Sequence, residues 1–200
     1  MEESAETKPD RRSTQLNLLK HALLHFGIVL GLLCLFAAAD SWSALTGWKL
    51  ATLLSVIMGF ASGLAMTTVL HEWFHLLGAR LSGGVYKIPP SPSFFIYDWK
   101  FEQNSTGQFF TMSVAGTIGG LLSVWLLAVS VVPDNPGRMA VVAGAVMSFA
   151  LGSIIEWPVL RRTRSSGQPL EELAKVDQGV LTRALLWSAV AAALTFWWLG

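Results

Sequence analysis

The chain has 200 residues, of which 52% are hydrophobic and 14% charged, with fourteen Lys+Arg against thirteen Asp+Glu. A charged fraction so far below the rough quarter of soluble domains excludes an ordinary soluble protein, and the near-even balance leaves no basic excess to neutralise a phosphate backbone, so nucleic acid is not an expected partner. The single cysteine, Cys34, excludes an intrachain disulfide framework and a multi-cysteine zinc site.

In chain order, residues 1–16 begin with the polar run MEESAETKPD and read as a disordered cytoplasmic tail rather than a cleavable signal peptide. The rest, 17–200, reads as one transmembrane domain. A membrane helix needs about 20 mostly apolar residues, and five segments approach that length: 18–39, 50–77, 109–132, 139–160 and 179–199. The expected fold class is an all-α polytopic membrane protein in the lipid bilayer. Basic residues divide twelve to two between the loops on the N-terminal side and those on the other, so the positive-inside rule gives five spans with the N-terminus cytoplasmic and the C-terminus outside. The expected location is a prokaryotic cell membrane. Gly27 with Gly31, Gly59 with Gly63, and Gly116 with Gly120 form G-x-x-x-G pairs suited to close helix contact.

Between the second and third spans, residues 83–108 carry Pro89, Pro90 and Pro92 and then SFFIYDWKFE. Phe95, Tyr97, Trp99 and Phe101 alternate with Ile96, Asp98, Lys100 and Glu102, the period of a strand. A short membrane-associated β-hairpin or a loop with its aromatics on lipid headgroups both fit. Asn104-Ser105-Thr106 matches a glycosylation acceptor but falls on the side expected to be cytoplasmic.

Ionisable side chains inside a bilayer are costly and are therefore paired or functional. The spans hold few: His25, His71, Glu72, His75 and Glu156, with Asp177 at the mouth of the fifth. His71-Glu72-Trp73-Phe74-His75 is H-E-x-x-H. Residues four apart share a helix face, so the two imidazoles can converge on one zinc ion while Glu72 acts as general base. A catalytic zinc takes three protein ligands, and the residues alone leave Glu156 and Asp177 as candidates for the third. His21 and His25, also four apart, read as a headgroup residue beside Lys20 and a packed helix residue, or as one half of a bis-histidine haem or pigment site completed by His71 or His75.

Three pieces together resemble the site-2 protease family of intramembrane zinc metalloproteases: HEWFHLLGARLSGG from His71, SVAGTIGGLLS from Ser113, and VDQGVLTRALL from Val176. In the second, Thr117 and Gly120 stand where the family has proline and asparagine; in the third, Gln178 stands for a glycine. The resemblance covers about residues 65–190. It implies one Zn²⁺ per chain bound by His71, His75 and Asp177, Glu72 as the catalytic base, and a transmembrane protein substrate cleaved near the cytoplasmic face. By the same likeness Phe95, Tyr97 and Trp99 of the hairpin and the small residues Gly116 and Gly120 are candidate substrate contacts. The departures at Thr117, Gly120 and Gln178 also admit an inactive, protease-like scaffold or accessory subunit that binds another membrane protein.

Overall fold

The computed structural model describes residues 11–200. Its elements are α1 (Arg11–Thr46), α2 (Lys49–Leu81), β1 (Tyr86–Lys87), β2 (Asp98–Trp99), a 3-10 turn at Phe101–Gln103, α3 (Thr106–Ser130), α4 (Pro136–Ser166), a short α5 (Pro169–Ala174) and α6 (Gln178–Leu199). Five of the helices, α1 to α4 and α6, are long and apolar enough to cross a membrane, so the chain is an all-α polytopic protein with a small β-hairpin between α2 and α3. The tail expected over 1–16 lies outside the described residues up to residue 10. Arg11 to Leu16 are instead the opening turns of α1, where Ser13, Thr14 and Asn17 line a cleft whose other wall is the hairpin, from Gly84 to Pro90.

Helix boundaries follow local chemistry. Ser105 and Gln108 form a reciprocal capping box at the start of α3, Asn135 caps α4 ahead of Pro136, and α4 stops at Gly167, whose φ of 70° is left-handed and favours glycine. At 1.5 Å per residue α1 is about 54 Å long and α2 about 50 Å, well beyond a hydrocarbon core of roughly 30 Å. Both therefore project past the apolar layer.

The bundle is organised by α2, which packs on α4, α3 and α1, while α6 packs on α4. Small residues make the α2–α4 seam. A Cβ on Gly59 would overlap the Gly137 carbonyl, one on Gly63 the Val141 carbonyl, and one on Gly144 the Phe60 carbonyl. In lipid, where water gives helices no reason to associate, such backbone contact is the main attraction available. Gly27 and Gly31 differ, since nothing lies within 4 Å of the Cβ either would carry. Gly63→Ala is accordingly expected to cost about 1–3 kcal/mol through overpacking, read as a lower melting temperature in detergent, and Gly27→Ala to leave melting unchanged. Equal melting of the two variants would refute the seam.

Polar pairs fix the register of α2 against both α3 and α4. Thr67 hydrogen-bonds Ser123 of α3 at 2.9 Å and Thr68 hydrogen-bonds Ser148 of α4 at 2.8 Å. At the far end, Asp40 accepts from Ser55 (3.1 Å) and pairs with Arg138 (3.2 Å), joining α1, α2 and α4. Asp40 lies inside α1, one residue past the span expected from hydropathy.

Candidate metal centre

His71 and His75 stand on the face of α2 one turn beyond Thr67 and Thr68, and so point into the angle between α3 and α4. Two glycines of α3 make room for them. A Cβ on Gly116 would fall into the His75 ring, and one on Gly120 would lie 3.4 Å from His71 Nδ1; on α4, a Cβ on Gly152 would lie 3.4 Å from His71 Cε1. Gly116 and Gly120, expected as substrate contacts, are thus buried seats for the imidazoles.

The ligand-type atoms converge. His71 Nε2 lies 2.8 Å and His75 Nε2 3.1 Å from Glu156 Oε1, and the two nitrogens are 2.9 Å apart. His71, Glu72 and His75 also each offer a ligand atom within 4.8 Å of the others. His75 Nδ1–H donates to the Met112 carbonyl at 2.9 Å, which leaves Nε2 of the neutral ring as a lone pair aimed at the cluster. Two imidazole nitrogens and a carboxylate oxygen this close are electron-pair donors that need a cation among them, whether protons or a metal. Neighbouring ligands of a tetrahedral zinc at ~2.0–2.1 Å sit about 3.3 Å apart, so the three atoms fit an ion after spreading by a few tenths of an ångström. Glu156 Oε2 is buried with no hydrogen-bond partner among the described residues, a further donor atom left over for a cation. The group fits a metal.

Asp177 is not part of this cluster. It is exposed and caps α6, accepting from the Val180 N–H at 2.8 Å. The third ligand-type group brought to the histidines is Glu156, whose place beside them depends on the α2–α4 seam.

A cavity of about 280 Å³ opens beside the cluster, lined by Glu72, His75 and Glu156 on one side and by Tyr97, Trp99, Phe101 and Phe109 on another. Glu72 makes no hydrogen bond with any described residue. Phe101 of this wall comes from the 3-10 turn and Phe109 from α3, and Tyr97 and Trp99 come from the hairpin, where Tyr86 pairs with Trp99 and Lys87 with Asp98. Its base is stitched by Asn104, which accepts from Val85 N–H and donates to the Val85 and Lys100 carbonyls, so the asparagine of the N-x-T triplet is structurally committed. Tyr97 and Trp99 turn inward to line the cavity, and Phe95 is 71% exposed and reaches only the cavity rim. Burial raises the Tyr97 phenol above its ordinary pKa, and the charges of Glu72 and Glu156 raise it further, so it stays a hydrogen-bond donor.

The outer side of the hairpin is held by α1. Ile88 and Ile96 are buried with Leu76, and His25 Nε2–H donates to the Ser93 carbonyl (3.0 Å) while its Nδ1 accepts from Trp73 Nε1–H (3.0 Å). Both ring nitrogens are occupied, which leaves His25 none for a haem iron. His21, expected among headgroups, is fully buried instead, with Nδ1–H donating to the Asn17 carbonyl at 2.9 Å. This clamp was not visible in the sequence because its acceptor is a backbone carbonyl 68 residues away. His25→Ala should release the hairpin, and the expected readout is faster limited proteolysis within 88–97 with the spans still intact. Unchanged cleavage there would mean that apolar packing alone holds it.

Compared with protein-family models, curated proteins and solved structures, the chain finds no match.

Proposed function

We propose that the protein is an intramembrane zinc metalloprotease that hydrolyses a peptide bond of a transmembrane substrate. The observation that carries this reading is the convergence of His71 Nε2, His75 Nε2 and Glu156 Oε1 within 3.1 Å of one another, beside an unengaged Glu72, in a cavity among membrane-length helices. His71, His75 and Glu156 would hold the ion. Zinc bound there supplies a Lewis acid that polarises a peptide carbonyl and acidifies water.

The chain's own residues supply the rest. Glu72 takes a proton from the attacking water as its oxygen bonds the carbonyl carbon, and delivers that proton to the departing amide nitrogen as the C–N bond breaks. Met112 fixes the His75 tautomer throughout, and the aromatic wall excludes bulk water and receives an apolar side chain of the substrate. A transmembrane substrate must unwind first, because a helix's own hydrogen bonds shield its backbone. The basic residues gathered at this end of the bundle support a cytoplasmic placement of the site, and hence a cytoplasmic cleavage product.

The test is metal analysis of the chain purified in mild detergent, combined with cleavage of membrane-embedded reporter segments. About one zinc per chain, cleavage abolished by 1,10-phenanthroline and restored by added zinc, is expected. A well-folded chain that takes up no zinc would overturn the proposal.

A further inference from the structure

A second cavity, of about 460 Å³, lies on the outer surface of α4 near its C-terminal end, walled by Phe110, Trp157, Pro158, Leu160, Arg161 and Arg164. Its walls are apolar except at the rim, where Arg161 and Arg164, three residues apart, share one face of the helix. The intervening Arg162 turns the other way. It donates to Glu172 Oε2 at 2.9 Å, and Lys175 donates to the other oxygen of the same carboxylate at 2.7 Å, which holds Glu172 below the ordinary carboxylate pKa. Arg161 and Arg164, by contrast, form no ion pair or hydrogen bond with any described residue. Two uncompensated guanidiniums thus sit above an open apolar pocket, with the ring of Trp157 half exposed beside them.

Neither feature alone names a ligand, but together they define an amphiphile with an anionic head and a hydrocarbon body. Guanidinium is the side chain best suited to grip phosphate oxygens in a fork. Tryptophan and arginine at the end of a membrane-length helix belong at headgroup depth, where the pocket would open to the acyl layer. We infer that this cavity binds one anionic phospholipid, its phosphate held by Arg161 and Arg164 and an acyl chain lying along Phe110, Trp157 and Leu160. Leu160 also lines the cavity beside the metal cluster, so the lipid rests against the back of the helix that carries Glu156. The assignment is independent of whether the chain is a protease.

The experiment is native mass spectrometry of the intact chain from mixed micelles containing equal phosphatidylglycerol and phosphatidylcholine. At roughly fivefold for each of two basic contacts near an anionic surface, the wild type should retain one phosphatidylglycerol with about thirtyfold preference. That preference should collapse in the Arg161→Gln/Arg164→Gln double variant and persist in Arg183→Gln, which removes another unpaired arginine that lines none of these cavities. Equal retention of the two lipids by the wild type would overturn the site without recourse to any variant. Loss of preference to the same extent in Arg183→Gln would overturn it too, by assigning the effect to diffuse surface charge, and selective displacement of the lipid by an acidic peptide would reassign the cavity to a protein partner.

Discussion

Glu156→Ala should abolish zinc binding, with stoichiometry after dialysis falling from about one per chain to near zero, whereas Asp177→Ala should keep its metal. A zinc site that loses one of three protein ligands keeps only the two imidazoles, too few for a stable structural or catalytic site. Glu156 Oε1 is the oxygen that touches both Nε2 atoms, while the Asp177 carboxylate is spent on the Val180 N–H at the surface. Asp177→Ala has its own signature. Loss of an N-cap costs about 1 kcal/mol, so its melting temperature should fall modestly with zinc unchanged. Inductively coupled plasma mass spectrometry on the two purified variants, each checked for helicity by circular dichroism, separates the alternatives. Metal lost with Asp177 and kept without Glu156 would return the aspartate to the site and require α6 to approach the histidines.

The contrast between these two carboxylates shows what was legible in the sequence. Apolar runs of membrane length declare themselves locally, and all five spans are where hydropathy put them. Their ends were less legible, since α1 begins seven residues early with turns that are almost wholly exposed, and α4 runs on to a left-handed glycine. H-E-x-x-H was legible because helical periodicity alone puts positions i and i+4 on one face. Glu156 and Asp177 were both legible as candidates for the third ligand-type group, but the choice between them was not, because a carboxylate 81 residues from His75 reaches it only through the glycine and serine contacts that set the depth of α4 against α2. The structure places Asp177 as the N-cap of α6, and an aspartate before a helix is equally the pattern of such a cap. The glycines Gly116 and Gly120 stood out for their smallness, and in the structure that smallness admits imidazoles of the chain itself.

Glu72→Gln should lower peptide cleavage by about 10²–10⁴-fold, the usual worth of a positioned general base, while zinc content and melting temperature stay at wild-type values. The substitution keeps size and hydrogen-bonding shape and removes only the ability to accept and return a proton. Zinc should remain because the three atoms that touch one another belong to His71, His75 and Glu156, and Glu72 faces the cavity without a hydrogen-bond partner among the described residues. The comparison is informative in three directions. Cleavage at the wild-type rate would remove Glu72 from the chemistry and leave the metal centre to be explained otherwise. Loss of zinc along with activity would make Glu72 a ligand, consistent with its ligand atom lying within 4.8 Å of those of both histidines. Retained zinc with lost turnover leaves proton transfer as the step that Glu72 performs, since binding, folding and metal occupancy would all have been held constant across the pair.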